Sequence, residues 1–177
     1  MNNLGTQILS NQLKAAHSAL EQTMDGVTDE VAHFNPEGKA NPIAGTYAHL
    51  LFSEDFFIHS FLMDKKPLFE SEFEGKTGAS ELQPTEWETA FPKWLKEVTI
   101  DVEKFREYAK AVYAASEEYV ASLTDEDLEK DVDMSAMGMG TRKTHDFIAN
   151  ILSGHAYSIM GEISVLKGIQ GLKGYPF

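Results

Sequence analysis

Three of the six histidines in this 177-residue chain stand where an apolar side chain would be expected. His17 lies between Leu13 and Leu20, and His49 shares a stripe with Gly45, Phe52 and Phe56. His155 falls among Ile148, Ile151, Leu152, Ile159, Ile163 and Leu166. In each case the three-four spacing is that of one helix face turned toward a core, where a polar ring needs a partner. Neutral imidazoles that converge supply the nitrogen donors of a zinc, nickel or iron centre, and a catalytic centre needs about three protein ligands with one position left open. The plainer alternative is a core histidine hydrogen-bonded to a backbone carbonyl, a hydroxyl or a carboxylate. Tyr47, Tyr157, Ser158 and Glu162 are candidate partners or pocket residues. Glu162 follows His155 by seven residues, which returns it to the same face two turns on. His33, His59 and His145 show no such convergence and read as surface or loop residues. The run TDEDLEKDVD (124–133) lacks the ligand spacing and central glycine of a calcium loop and reads as a solvated turn.

The elements that must position these rings are helices. A first pattern runs from Leu4 to Gly26, where the glycine stops it and Thr28 caps a short turn. NPEGKANP (35–42) is a loop, with Asn41 and Pro42 as N-cap and first position of a second helix reaching Met63. Residues 64–97 carry no sustained period and read as a long connection with a short helix over 85–97, which Pro92 should break or kink. Val102, Phe105, Ala109, Val112, Ser116, Tyr119 and Leu123 mark a third helix. MSAMGMGT (134–141) is too glycine-rich for a helix interior and predicts a packed loop or short hairpin; a fourth helix follows from Arg142 to Gly168 or Gly171. Helices of about 20 residues, roughly 30 Å long, make one antiparallel bundle domain over 1–177 the simplest arrangement. If the first two helices are neighbours, His17 and His49 stand roughly 13 and 11 Å from their shared end and are nearly level.

Composition narrows the function. A net charge of -13 opposes binding to nucleic acid or an anionic membrane. The absence of cysteine excludes disulfides, thiolate nucleophiles and cysteine zinc sites. No apolar run approaches the ~18 residues that span a bilayer, and the N-terminus lacks a basic region followed by an apolar core, so the expectation is a cytoplasmic protein.

ANPIAGTYAHLLFSEDFFI (40–58), preceded by VTDE and NPEGKANP and followed by GHAYSIMGEISVLKG (154–168), resembles the DinB-like (YfiT-like) superfamily of helical bundle proteins over nearly the whole chain. The resemblance implies an all-α, up-down-down-up four-helix bundle, a homodimer, and a divalent metal held by one histidine of helix two and two of helix four. It also implies kinship with metal-dependent enzymes that handle low-molecular-weight thiols, such as thiol S-transferases. His49 matches the helix-two ligand and His155 the first histidine of the H-x-x-x-H pattern, but the second falls on Ile159, which has no donor atom. Either His17 or a carboxylate takes the third place, or the site keeps its pocket without its metal. Three functions follow as expectations. They are a protein with a depleted metal site that binds a small molecule, an active enzyme of the thiol S-transferase type with a rebuilt site, and a dimeric interaction protein without metal.

Overall fold

The computed structural model describes residues 3–177. They are mostly helical, with one small two-stranded sheet. Helix α1 (Leu4–Thr23) buries Leu13, Ala16, His17 and Leu20 along the face its spacing predicts. Gly26, at φ 77°, turns the chain after it, a backbone conformation that favours glycine. Thr28 then caps α2 (Asp29–His33) by accepting the Val31 N–H at 3.3 Å. Helix α3 (Ile43–Asp55) starts one residue later than the Asn41–Pro42 signal suggests, because Pro42 itself holds the extended cap position and its carbonyl accepts the Thr46 N–H. The helix continues from Phe56 to Leu62 as a π-helical segment.

The connection that follows is tied down by Asp55, which is fully buried. Its carboxylate accepts the Leu68 and Phe69 N–H groups at 2.9 and 3.0 Å and the Tyr108 hydroxyl at 2.8 Å, and it lies 2.7 Å from the His59 ring. His59 is therefore a buried structural residue and not the surface residue its sequence context suggests. Likewise His33 is used, its Nε2 accepting the Ile100 N–H at 3.0 Å. Only His145 of that set is exposed. Pro92 begins helix α4 (Phe91–Glu97) rather than breaking it, since a proline in the first turn removes an N–H that has no helical partner. Helix α4 lies directly on α3: a Cβ at Gly45 would stand 1.9 Å from the Leu95 carbonyl oxygen, so only glycine permits the approach.

Helix α5 (Val102–Ser122) is capped by Asp101, which accepts the Lys104 N–H. Strands β1 (Asp131–Asp133) and β2 (Thr141–Lys143) pair antiparallel, with Val132 opposite Arg142, and close the loop 134–140. A single turn, α6 (Thr144–Asp146), leads through a π-helical segment (Phe147–Ser153) into α7 (Gly154–Ile169). Helix α1 packs against α5 and α7, as α3 does, so α1 and α3 are not the side-by-side neighbours assumed for the level His17–His49 pair. Lys167 joins the ends of α7 and α1 by donating to the Thr23 and Asp25 carbonyls. The core forms two clusters, a larger one around Leu20, Tyr47, Phe105 and Ile163 and a smaller one around Leu13, Ile58, Phe147 and Leu152. No described helix is long and apolar enough to cross a membrane.

A histidine pair in an apolar cleft

His49 projects from α3 and His155 from the first turn of α7, and their ring centroids stand 5.0 Å apart with the planes inclined at 66°. The connection between α3 and α4 supplies what holds the first ring. The His49 Nδ1 lies 2.8 Å from Gln83 Oε1 and 3.3 Å from Ser53 Oγ, and Gln83 Nε2 donates to that hydroxyl at 3.4 Å. An amide oxygen can only accept, so the network assigns the His49 proton to Nδ1 and leaves a lone pair on Nε2. Phe91 and Trp87 meet the same ring edge-on at 5.0 and 5.9 Å. Among the described residues, His49 Nε2 and both ring nitrogens of His155 make no protein hydrogen bond.

The pair opens on a cleft of about 800 Å³. Phe57, Trp87, Met137, Met139 and Ile151 make its apolar walls, and Ser53, Thr85, Asn150 and Ser158 add polar points. No Asp, Glu, Lys or Arg side chain lines it. Burial pushes the His49 pKa down. His155 is lowered to about 4, by burial first and by its proximity to His49 second, against an opposing pull from Glu54. Both rings are therefore neutral at pH 7.

His17 is not part of this pair. It is 3% exposed, with Nε2 at 3.0 Å from Glu54 Oε1 and Nδ1 at 3.0 Å from Glu117 Oε1, and it stacks on Tyr113 at 4.2 Å. Burial acts to lower its pKa, but the Glu54 charge and the contacts with Glu117 and Glu54 outweigh it and raise the value to about 9. His17 is thus a cation in an internal ion-pair cluster. Glu54 is lowered in turn, its burial penalty overcome chiefly by the His17 charge.

The remaining sequence candidates divide. Ile159 is buried, at 4% exposure, one turn beyond His155. Tyr47 points into a different network, where its hydroxyl donates to Glu21 beside Tyr113 and Arg106. Tyr157 and Glu162 are exposed and do not line the cleft. Ser53 stands one turn from His49 and could have been found by that spacing. Gln83, Trp87 and the methionines belong to aperiodic segments that carry no such signal.

The donor set does not complete a metal centre. Ile159, one turn beyond His155, has no donor atom, Glu54 faces His17 through Oε1 and does not line the cleft, and among the described residues no group of three or more His, Asp or Glu side chains converges to hold an ion.

A helical chain with a histidine pair between α3 and α7 defines a class before it defines a reaction. The chain belongs to the DinB superfamily, whose family model matches residues 12–158. It is similar in fold to the crystal structure of a conserved protein from Enterococcus faecalis, at 21% identity and a TM-score of 0.69, covering 92% of this chain and 98% of that one. No curated protein matches the chain significantly in sequence.

Proposed function

We propose that this protein binds a small organic molecule in the cleft beneath the His49–His155 pair, on an up-down-down-up four-helix bundle that has kept the pocket of a metal site without its full ligand set. The observation that carries this reading is the pairing of two half-buried imidazoles on a cleft with no charged side chain in its lining, with the donorless Ile159 one turn beyond His155. Two imidazoles alone hold a divalent ion weakly, whereas a largely apolar cleft of this volume with a few polar points is the usual form of a small-molecule site. The homodimer implied by the family likeness and the cytoplasmic location expected from the sequence belong to the same proposal.

A second reading has one specific support. Gln83 fixes the His49 ring through Nδ1 and presents Nε2, which is how a metal-ligating histidine is oriented. On that reading the protein is a metal-dependent enzyme of the thiol S-transferase type, with a carboxylate as third ligand. Elemental analysis of protein purified without an affinity tag separates the two. Stoichiometric zinc, nickel or iron that withstands dialysis favours the enzyme and sinks the depleted site. Absence of metal, together with ligand-dependent quenching of Trp87 at the cleft, is the outcome expected here.

A further inference from the structure

The lining of the cleft restricts what can occupy it. An anion entering would find no lysine or arginine, and it would approach a protein of charge -13. A cation would find no carboxylate, because Glu54 is 2% exposed and engaged with His17. The walls suit a flat ring: Trp87, 53% exposed, packs at 4.4 Å against Phe91, while Phe57, Met137 and Met139 also line the cleft. Thioethers and aromatic edges both make favourable contacts with an aromatic face.

At the histidines the free hydrogen-bonding capacity is mainly accepting. His49 Nε2 carries a lone pair, and a neutral His155 offers another on whichever nitrogen lacks its proton. The other polar groups are partly engaged, since Asn150 donates its amide to Asp146 and Thr85 donates to Glu86. His155 also keeps one N–H without a protein acceptor, so the pair presents two lone pairs and one N–H, and a ligand hydroxyl can donate to the first and accept from the second.

We infer that the ligand of this cleft is an uncharged aromatic molecule that donates one hydrogen bond to the histidine pair, a compound of the phenol class. The inference rests on the cleft-binding reading above and adds the chemical class. It requires no covalent step and no cofactor.

The test uses the full chain and four small aromatic probes at pH 7: 4-methylphenol, 4-methylanisole, 4-methylbenzoate and benzylammonium, with reduced glutathione as a fifth. Binding is read from tryptophan fluorescence and from the ring C–H signals of the histidines by NMR. The phenol should bind about five- to tenfold tighter than the anisole, which has the same ring but no donor, as expected for one neutral hydrogen bond. The charged probes should be weaker than the phenol by roughly tenfold or more, since each would lose hydration without a counter-charge. The phenol should also move the His49 and His155 signals and leave His17 in place. His49→Phe and His155→Phe should abolish the preference for phenol over anisole while retaining ring binding. If either variant fails to fold, the wild-type NMR shifts carry the test alone. Equal affinity for phenol and anisole overturns the inference. Tighter binding of benzoate, benzylammonium or glutathione overturns it too, but leaves the cleft-binding reading standing. No probe moving either signal overturns both.

Discussion

The strongest energetic claim the structure makes concerns His17 and not the cleft. Replacing His17 with leucine removes the cation that faces Glu54 at 3.0 Å and leaves that carboxylate in a site only 2% exposed. A buried ion pair broken from one side costs about 3 to 5 kcal/mol, because the remaining charge is neither hydrated nor paired. At roughly 2–4 °C per kcal/mol for a chain of this size, Tm should fall by roughly 6–20 °C. Glu54→Leu made in the H17L background should recover most of the loss, since an apolar pair of similar volume avoids both desolvation penalties. A double-mutant cycle followed by urea unfolding gives the coupling directly. A loss below about 1 kcal/mol in H17L, or a double variant no more stable than H17L, would refute the assignment of His17 as a buried cation.

The same assignment fixes a pH dependence. The folded-state pKa of about 9 lies above the ordinary 6.5, so the stabilisation is complete below pH 6.5 and is lost as pH rises through 9. The difference corresponds to about 3 kcal/mol at most. Wild-type protein should therefore lose stability between pH 7 and 9.5, and H17L should not.

The cleft predicts the opposite sign on the acid side. His155, at about 4, is depressed below 6.5, so its contribution is present above pH 6.5 and lost as pH falls toward 4; melting curves at pH 7 and 5 should show the loss, and His155→Phe should reduce it. Ile159→His places a second imidazole one turn from His155. It should cost about 1 to 3 kcal/mol without metal and then be stabilised by zinc far more than the parent, by calorimetry and melting. A parent that binds zinc equally well would mean that a third native ligand exists. Gly45→Ala drives a Cβ to 1.9 Å from the Leu95 carbonyl oxygen and should cost about 2 to 3 kcal/mol while displacing α4, visible as a change in the near-ultraviolet signals of Trp87 and Trp94. Asp55→Ala strands two N–H groups, the Tyr108 hydroxyl and His59, and should cost about 3 kcal/mol or more in urea unfolding.

Helix α3 is buried on almost every side, with His49 its one half-buried residue, whereas α1 and α5 each bury one face, and there the three-four spacing made the helix legible. It also turned His17 inward, but it could not name a partner. Glu54 and Glu117 stand on α3 and α5, and which helices face each other is a property of packing order that no local period encodes. The assumption that α1 and α3 lie side by side failed on that point. Asp55 and His59 were missed for a related reason: on an apolar helix a neighbouring acid and base look like a solvated pair until the loop they anchor is seen.

The π-helical segment Phe147–Ser153 explains a subtler gap. Its buried residues fall in pairs five apart, with Phe147 and Ile148 followed by Leu152 and Ser153, whereas α7 returns to the ordinary spacing at Ala156, Ile159 and Ile163. A five-residue repeat is the period of the wider turn, and a template of 3.6 residues does not detect it. The segment ends at Gly154, where a Cβ would come within 3.2 Å of the Ala149 carbonyl oxygen, and His155 follows at once. Across from it, Phe57 in the other π-helical segment meets Phe147 at 5.6 Å. Both irregular turns thus lie beside the cleft, with Phe57 and Ile151 contributed by them to its wall. Wider turns forgo ideal helical geometry and are tolerated where tertiary packing compensates, and here that packing is the aromatic contact between the two segments. The helices thereby fix the separation of the two histidines. Gln83, Trp87, Met137 and Met139 come from aperiodic segments, so on the proposed reading the part of the sequence with the least periodic signal sets what the cleft admits.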